Sequence, residues 1–409
     1  MSFAYRGGTL CAEQVTLDDI ARRFGTPCYV YSRAAIAAAY RAFADSLRGR
    51  DALVAYSVKA NSNLAVLALL ARLGAGFDIV SGGELERVLA AGGAAARVLF
   101  SGVGKSAAEI EAALAHGVLS INIESEAELE RVAAVAGRLG HRAPVALRVN
   151  PDIDADTHPY ISTGLAADKF GVPYRDAERL YARARALPQL EPVGIGCHIG
   201  SQLVSAAPFV AAVERLVALL ERLERNGIGL AHIDVGGGIG IRYKDETPQS
   251  INEFVSGALG ALGSRREKII FDPGRSLVGN AGILLTRVEY AKPGFLVVDA
   301  AMNDLIRPAL YGAWHDVRTV KESAGPPGVY DIVGPICESG DFLAKSRTLA
   351  AAQGDLLAVM SAGAYAMSMS SNYNSRPRAA EVLVDGGAAH LVRARESVAQ
   401  LFALERIPG

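Results

Sequence analysis

From residue 51 the chain alternates short apolar runs with helical stretches, and this period constrains the fold more than any other feature. Valine- and isoleucine-rich runs predict eight strands at Leu53–Val58, Phe77–Val80, Val98–Phe100, Ser120–Ile123, Val145–Val149, Gly194–His198, His232–Val235 and Ile269–Phe271. Seven helices are predicted between them, at Leu64–Leu73, Glu84–Ala91, Ala107–His116, Glu126–Leu139, Arg175–Leu187, Phe209–Asn226 and Ile251–Leu262. The helical assignments rest on spacing such as Leu216, Leu219, Leu220 and Leu223, which share one helical face. Strand–helix alternation implies a parallel sheet covered by helices. Eight such strands over about 220 residues fit a (β/α)8 barrel, which takes about 250, with a doubly wound open sheet as the alternative. After residue 280 the pattern changes to strands at Leu296–Asp299, Tyr330–Val333, Leu356–Met360, Val382–Val384 and His390–Arg393. Turns such as Gly325-Pro326-Pro327-Gly328 separate them. The expected class is therefore α/β: a barrel over 30–279, a β-rich barrel or sandwich over 280–409, and an N-terminal segment, 1–29, that packs with the β domain.

Composition narrows the function. Of 409 residues half are hydrophobic and 21% charged, which suits a globular chain. Lys and Arg total 42 against 43 Asp and Glu, so no basic field attracts a phosphate backbone and no nucleic acid partner is expected. Cys11, Cys28, Cys197 and Cys337 form no CxxC pair and no metal-ligand spacing, so no metal is expected and the thiols read as reduced. The N-terminal MSFAYRGGTLCAEQ lacks a signal-peptide pattern. The longest uncharged stretches, Pro192–Val213 and Leu356–Asn374, are interrupted by polar residues and glycine, so no membrane span is expected. A cytoplasmic location is the simplest expectation.

Two motifs are decoys. Gly102-Val103-Gly104-Lys105-Ser106 resembles the end of a phosphate-binding P-loop, but that pattern needs glycine where Leu99 stands. Asp234-Val235-Gly236-Gly237-Gly238-Ile239-Gly240 resembles a dinucleotide fingerprint, but Ile241 occupies its last glycine position and the segment follows the seventh strand.

Barrel active sites gather at strand carboxyl ends. The first strand leads into Lys59, a costly residue in a packed barrel unless it is partnered, snorkels to the rim or forms a Schiff base. Asp78 belongs to the second strand, His198 and Ser201 to the end of the sixth, Gly236, Gly237 and Gly238 to the seventh, and Asp272-Pro273-Gly274-Arg275 to the eighth. Singly, these residues have structural explanations: a core histidine, a tight glycine turn. Together they suit pyridoxal 5'-phosphate, which needs a lysine for its aldehyde, a phosphate cradle, a ring-stacking group and a partner for its pyridine nitrogen. Lys59, the glycines with Ser201, His198 and Asp272 meet those needs in turn.

With these segments in view the chain resembles the fold-type III pyridoxal-phosphate decarboxylases. Tyr56–Asn61, His198–Gln202, Asp234–Gly240 and Asp272–Arg275 carry the resemblance in the barrel. The diaminopimelate decarboxylase branch is matched by Asn303–Tyr311, Gly334–Asp341, Gly363-Ala364-Tyr365, Ser371–Pro377, His158–Gly164 and Lys169-Phe170-Gly171. The resemblance covers residues 25 to 405. One departure is Asp272, where the family usually has glutamate; aspartate is shorter by one methylene, roughly 1.5 Å.

The resemblance implies conversion of meso-diaminopimelate to L-lysine and carbon dioxide, the last step of lysine synthesis. It makes Lys59, His198 and Cys337 catalytic, with Cys337 a proton donor supplied by the partner subunit of a homodimer. It assigns Lys59, Asp78, His198, Ser201, Gly236, Gly237, Gly238, Asp272, Pro273, Gly274, Arg275 and Tyr365 to the cofactor. Arg275, Arg307, Tyr311, Glu338 and Tyr365 fall to the substrate. The substrate's unreacting end carries a carboxylate, which guanidinium matches bidentately, and an ammonium, which suits Glu338. A diamine-forming decarboxylase would leave paired arginines without a partner. The alternatives are a fold-type III decarboxylase for carboxynorspermidine or a D-amino acid, a racemase, and a catalytically dead regulatory homologue. The 150–174 connection reads as an active-site lid or a packed insertion.

Overall fold

Eight apolar runs become eight parallel strands: β1 (Ala52–Ser57), β2 (Gly76–Ile79), β3 (Val98–Phe100), β4 (Ser120–Ile123), β5 (Ala143–Asn150), β6 (Leu190–Gly196), β7 (His232–Asp234) and β8 (Lys268–Phe271). The computed structural model describes residues 2–153, 169–323 and 325–408; His158–Gly164, and with it much of the 150–174 connection, lies outside them. Each strand pairs with its neighbours in sequence, and the ring closes through β8–β1, with Ile270 opposite Leu53, and through β4–β5, with Ile121 opposite Val145. The fold is thus the closed barrel and not the open sheet. Inside it Leu53, Ala55, Leu99 and Ile270 form one buried cluster. Leu53 and Ala55 share a face because strand side chains alternate.

The helices cover the barrel as their spacing predicts. In Ala207–Arg225 the stripe Leu216, Leu219, Leu220 and Leu223 is buried while Glu214, Glu221 and Glu224 are exposed. Phe209 of that helix meets Phe254 of Ile251–Leu262, ring centroids 4.0 Å apart. Each such fully buried side chain contributes roughly 1.5–3 kcal/mol. Ser106 and Ser250 open their helices with reciprocal capping boxes to Glu109 and Glu253. An unpredicted helix, Arg33–Ser46, precedes β1 and buries Ile36, Tyr40 and Phe43 at helical intervals.

The chain divides into two compact units. The barrel unit is Ala39–Ile241 with Thr247–Ser276; the β unit takes the chain up to Ala38, the pentapeptide Arg242–Glu246, and the chain from Leu277 onward. Nine strands make up the β unit's main sheet: Cys28–Ser32, Gly282–Lys292, Phe295–Val298, Val317–Thr319, Gly328–Val333, Phe342–Leu349, Leu356–Val359, Ala380–Asp385 and Ala388–Arg393. Its core joins Leu10, Leu17 and Ile20 to Val30, Ile283, Leu285, Ala358 and Val382. Gly282–Lys292 was not predicted as a strand: its first five residues are buried in succession, so it lacks the alternation of a half-exposed strand. Phe342–Leu349 was hidden by Lys345 and Arg347, charged residues in mid-strand.

Candidate active site

At the end of β1 the chain makes one turn of 3-10 helix, Val58–Ala60, which lifts Lys59 out of the packed interior. Its side chain is 37% exposed and its Nζ lies 3.2 Å from Oδ2 of Asp78, which is buried in β2. The costly strand-end cation is therefore partnered. Ser57 stands opposite Asp78 in the sheet register. Its hydroxyl is within hydrogen-bond distance of Asp78 Oδ2, at 3.1 Å, and of the Asp272 carbonyl, at 3.0 Å. Its N–H donates to the Pro273 carbonyl at 3.1 Å. Ser57 thus stitches the end of β1 to those of β2 and β8.

The ends of β6, β7 and β8 meet in the same way. His198 Nδ1 lies 3.5 Å from Asp272 Oδ1, beyond good hydrogen-bond geometry, and that oxygen is buried without a hydrogen-bond partner among the described residues. Arg275 donates to Ser201 Oγ through Nη2 at 3.1 Å and Nε at 3.4 Å. Gln202, in the left-handed region at φ +66°, clamps Ile241 with both ends of its amide at 2.6 and 3.2 Å, tying the loop after β6 to the loop after β7. The triple glycine is demanded by close approach. A Cβ at Gly236, Gly237 or Gly238 would lie 2.6, 2.6 and 2.4 Å from the carbonyl oxygens of Cys197, Asp272 and Gly200. Gly236 donates to Asp234 Oδ1 at 3.0 Å. Among the described residues the N–H groups of Gly237 and Gly238 have no acceptor, which leaves backbone donors for an anion.

Three buried carboxylates, Asp78, Asp234 and Asp272, lie at this end of the barrel with Lys59, Arg148 and Arg275. Burial, and then the neighbouring Asp272 charge, hold Asp234 protonated well above the usual carboxylate range. Burial also lifts Glu84 to about 7, against the N–H it accepts from Val80. Glu124 accepts N–H groups from Gly102 at 3.1 Å and Gly171 at 2.9 Å, and pairs with Arg148 at 3.1 Å. Arg148 and Glu124 are not among the residues expected from the sequence. Their signal was the one Lys59 gave, a charge at or within the end of an apolar run.

The donor set fits pyridoxal phosphate: a reachable lysine, a buried carboxylate oxygen without a partner, and backbone donors beside a guanidinium–hydroxyl pair. Among the described residues no group of three His, Cys, Asp or Glu could hold a metal ion, and no helix is long and apolar enough to cross a membrane.

Five further predicted residues fall in the β unit, as two groups and Tyr365. Arg307 and Tyr311 begin and end one short helix, four residues apart and so on one face. Arg307 is buried, its guanidinium 4.6 Å over the Tyr243 ring and 2.9 Å from His315 Nε2. The second group holds Cys337, exposed, whose N–H donates to Asn374 Oδ1 at 2.9 Å. Beside it Glu338 Oε2 accepts from the Tyr373 hydroxyl at 3.3 Å, and the Glu338 charge raises that phenol's pKa. Tyr365 adopts φ +53°, a strained backbone for a bulky residue.

A model of the family described as pyridoxal-dependent decarboxylase, pyridoxal binding domain, matches residues 33–279. The diaminopimelate decarboxylase of Pseudomonas aeruginosa is 60% identical over 410 residues, 99% of this chain and 99% of that protein. A crystal structure of diaminopimelate decarboxylase from Helicobacter pylori, complexed with L-lysine, aligns at TM-score 0.93 and 42% identity over 95% of this chain and 99% of that one. The enzyme of M. jannaschii, in co-complex with L-lysine, aligns at TM-score 0.95 and 34% identity over 100% and 98%.

Proposed function

We propose that this chain, which belongs to the diaminopimelate decarboxylase family of pyridoxal-dependent decarboxylases, converts meso-diaminopimelate to L-lysine and carbon dioxide. The observation that carries the reading is Lys59 Nζ, partnered by buried Asp78 at 3.2 Å, at a barrel mouth that also holds Asp272 and the triple glycine.

Pyridoxal phosphate, when bound, supplies an electron sink for the charge left on carbon as carbon dioxide departs. Lys59 would hold it by its aldehyde, and Asp78 keeps the Lys59 Nζ in place. Asp272, whose Oδ1 has no hydrogen-bond partner among the described residues, would hold the ring nitrogen, and His198 would hold the ring. Gly236–Gly238, Ser201, Arg275 and Tyr365 would hold its phosphate, with Pro273 and Gly274 in the turn that carries Arg275. Arg307, with Arg275 and Tyr311, binds the carboxylate at the unreacting end of the substrate. Tyr365 also touches the substrate, and Glu338 pairs with its distal ammonium. Cys337 Sγ delivers the proton to the carbon that has lost its carboxylate. Cys337 and Glu338 act across a homodimer, so each site draws on both subunits. The protein works in the cytoplasm.

A panel of meso-diaminopimelate, L-lysine, L-ornithine and carboxynorspermidine tests the substrate assignment. Only the first has an amino-acid group at each end, and kcat/KM for it should exceed the others by at least about a hundredfold, the scale of an unpaired buried charge. Equal or better turnover of carboxynorspermidine would overturn the reading.

A further inference from the structure

His315 is fully buried four residues beyond the helix that carries Arg307 and Tyr311, and no step above uses it. Its two ring nitrogens face different chemistry. Nδ1 lies 2.8 Å from the Met360 carbonyl oxygen, and Nε2 lies 2.9 Å from Arg307 Nη1. A carbonyl oxygen only accepts, so Nδ1 carries the proton. A guanidinium only donates, so Nε2 presents its lone pair. Both bonds form together in one state alone, the neutral imidazole protonated at Nδ1. The ring is held further by Tyr243, edge-on at 5.3 Å, whose face also carries the Arg307 guanidinium at 4.6 Å. The His315 backbone is fixed too, since its carbonyl accepts from Arg347 Nη2 at 2.9 Å.

We propose that His315 is a positioning residue for the distal carboxylate of the substrate: through Nε2 it fixes the plane in which Arg307 presents its fork. This rests on the reading of Arg307 as the carboxylate binder. A carboxylate in the place of His315 would also orient the arginine, but it would neutralise the charge the substrate needs. A neutral lone pair and an aromatic face orient it without placing a further negative charge beside it. The backbone segment that supplies Tyr243, Arg242–Glu246, belongs to the same β unit, so the support is assembled within one unit.

The test uses the cofactor-loaded enzyme with His315→Asn, His315→Gln and Arg307→Ala. Asparagine keeps an N–H for the Met360 carbonyl and gives up the acceptor for Arg307; glutamine extends an acceptor toward Arg307. Expected for His315→Asn is a KM for meso-diaminopimelate raised roughly tenfold, ~1.4 kcal/mol. L-Lysine, which keeps the distal carboxylate, should inhibit it more weakly by a similar factor. Inhibition by 1,5-diaminopentane, which has no carboxylate, and the absorbance of bound cofactor should not change. His315→Gln should recover most of the loss. Unchanged KM in His315→Asn, or equal weakening of lysine and diaminopentane, overturns the positioning role. If Arg307→Ala leaves KM and lysine inhibition untouched, the reading of Arg307 fails and the inference falls with it. A normal Arg307 response beside an unaffected His315→Asn overturns the inference alone.

Discussion

Lys59 stands out in the sequence because it ends an apolar strand, and in the structure because a single turn carries its Nζ to Asp78 at 3.2 Å. His198, Asp272 and Arg275 were legible for the same reason, as polar residues placed where barrel strands stop. His315 was not legible. Its meaning lies in Met360 and Arg307, 45 and 8 residues away, and nothing local marks a histidine whose tautomer is set at that distance. Glu84 was equally silent, yet its burial makes a prediction. An unfolded glutamate ionises near 4.5, while folded Glu84 holds its proton to about 7. Between those values the folded chain binds a proton that the unfolded chain has lost, so stability falls as pH rises through the window and is level above it. Glu84→Gln should flatten that slope, which in the wild type amounts to at most about 3 kcal/mol. Urea midpoints at pH 5 and pH 8 read it; an unaltered slope in the variant would assign the effect elsewhere.

At the scale of elements, the sequence shows the barrel well and the β unit in part. Each barrel strand is a short apolar run bounded by helices of clear period, so β1–β8 can be counted in the sequence. Gly282–Lys292 has no such signature, being buried on both faces at one end and exposed at the other. The loop after β7 shows how an element serves the site. The carbonyls of Cys197, Asp272 and Gly200 crowd its glycines so closely that side chains cannot enter. Gly237→Ala would set a Cβ 2.6 Å from the Asp272 carbonyl and 2.7 Å from its Oδ1, pushing the carboxylate away from its position. The expected result is a stability loss of about 1–3 kcal/mol, as for overpacking. Cofactor affinity should fall about tenfold in addition, a further ~1.4 kcal/mol. Thermal melting and cofactor titration measure the two; full cofactor affinity in a destabilised variant would remove this loop from the binding site.

At the scale of the whole molecule, the two units are interleaved along the chain, which no local pattern in the sequence announces. Arg242–Glu246 leaves the barrel unit between β7 and the helix Ile251–Leu262, and brings Tyr243 to Arg307 and His315. Cys337 and Glu338 are exposed, and the proposed function places them in a site shared between subunits. If sites are shared, Lys59→Ala and Cys337→Ala chains, each crippled alone, should complement when mixed and allowed to exchange. Half of random dimers are mixed and each has one intact site of two, so recovery should approach about a quarter of wild-type activity. No recovery would mean that each subunit holds a complete site.

The most direct test of the proposed chemistry is product formation by the cofactor-loaded enzyme from meso-diaminopimelate labelled in both carboxylates. One labelled carbon dioxide should be released for each L-lysine formed, with the lysine retaining the other label, and Lys59→Ala should give neither product. Release of both labels, carbon dioxide without lysine, or undiminished turnover by Lys59→Ala would contradict that chemistry.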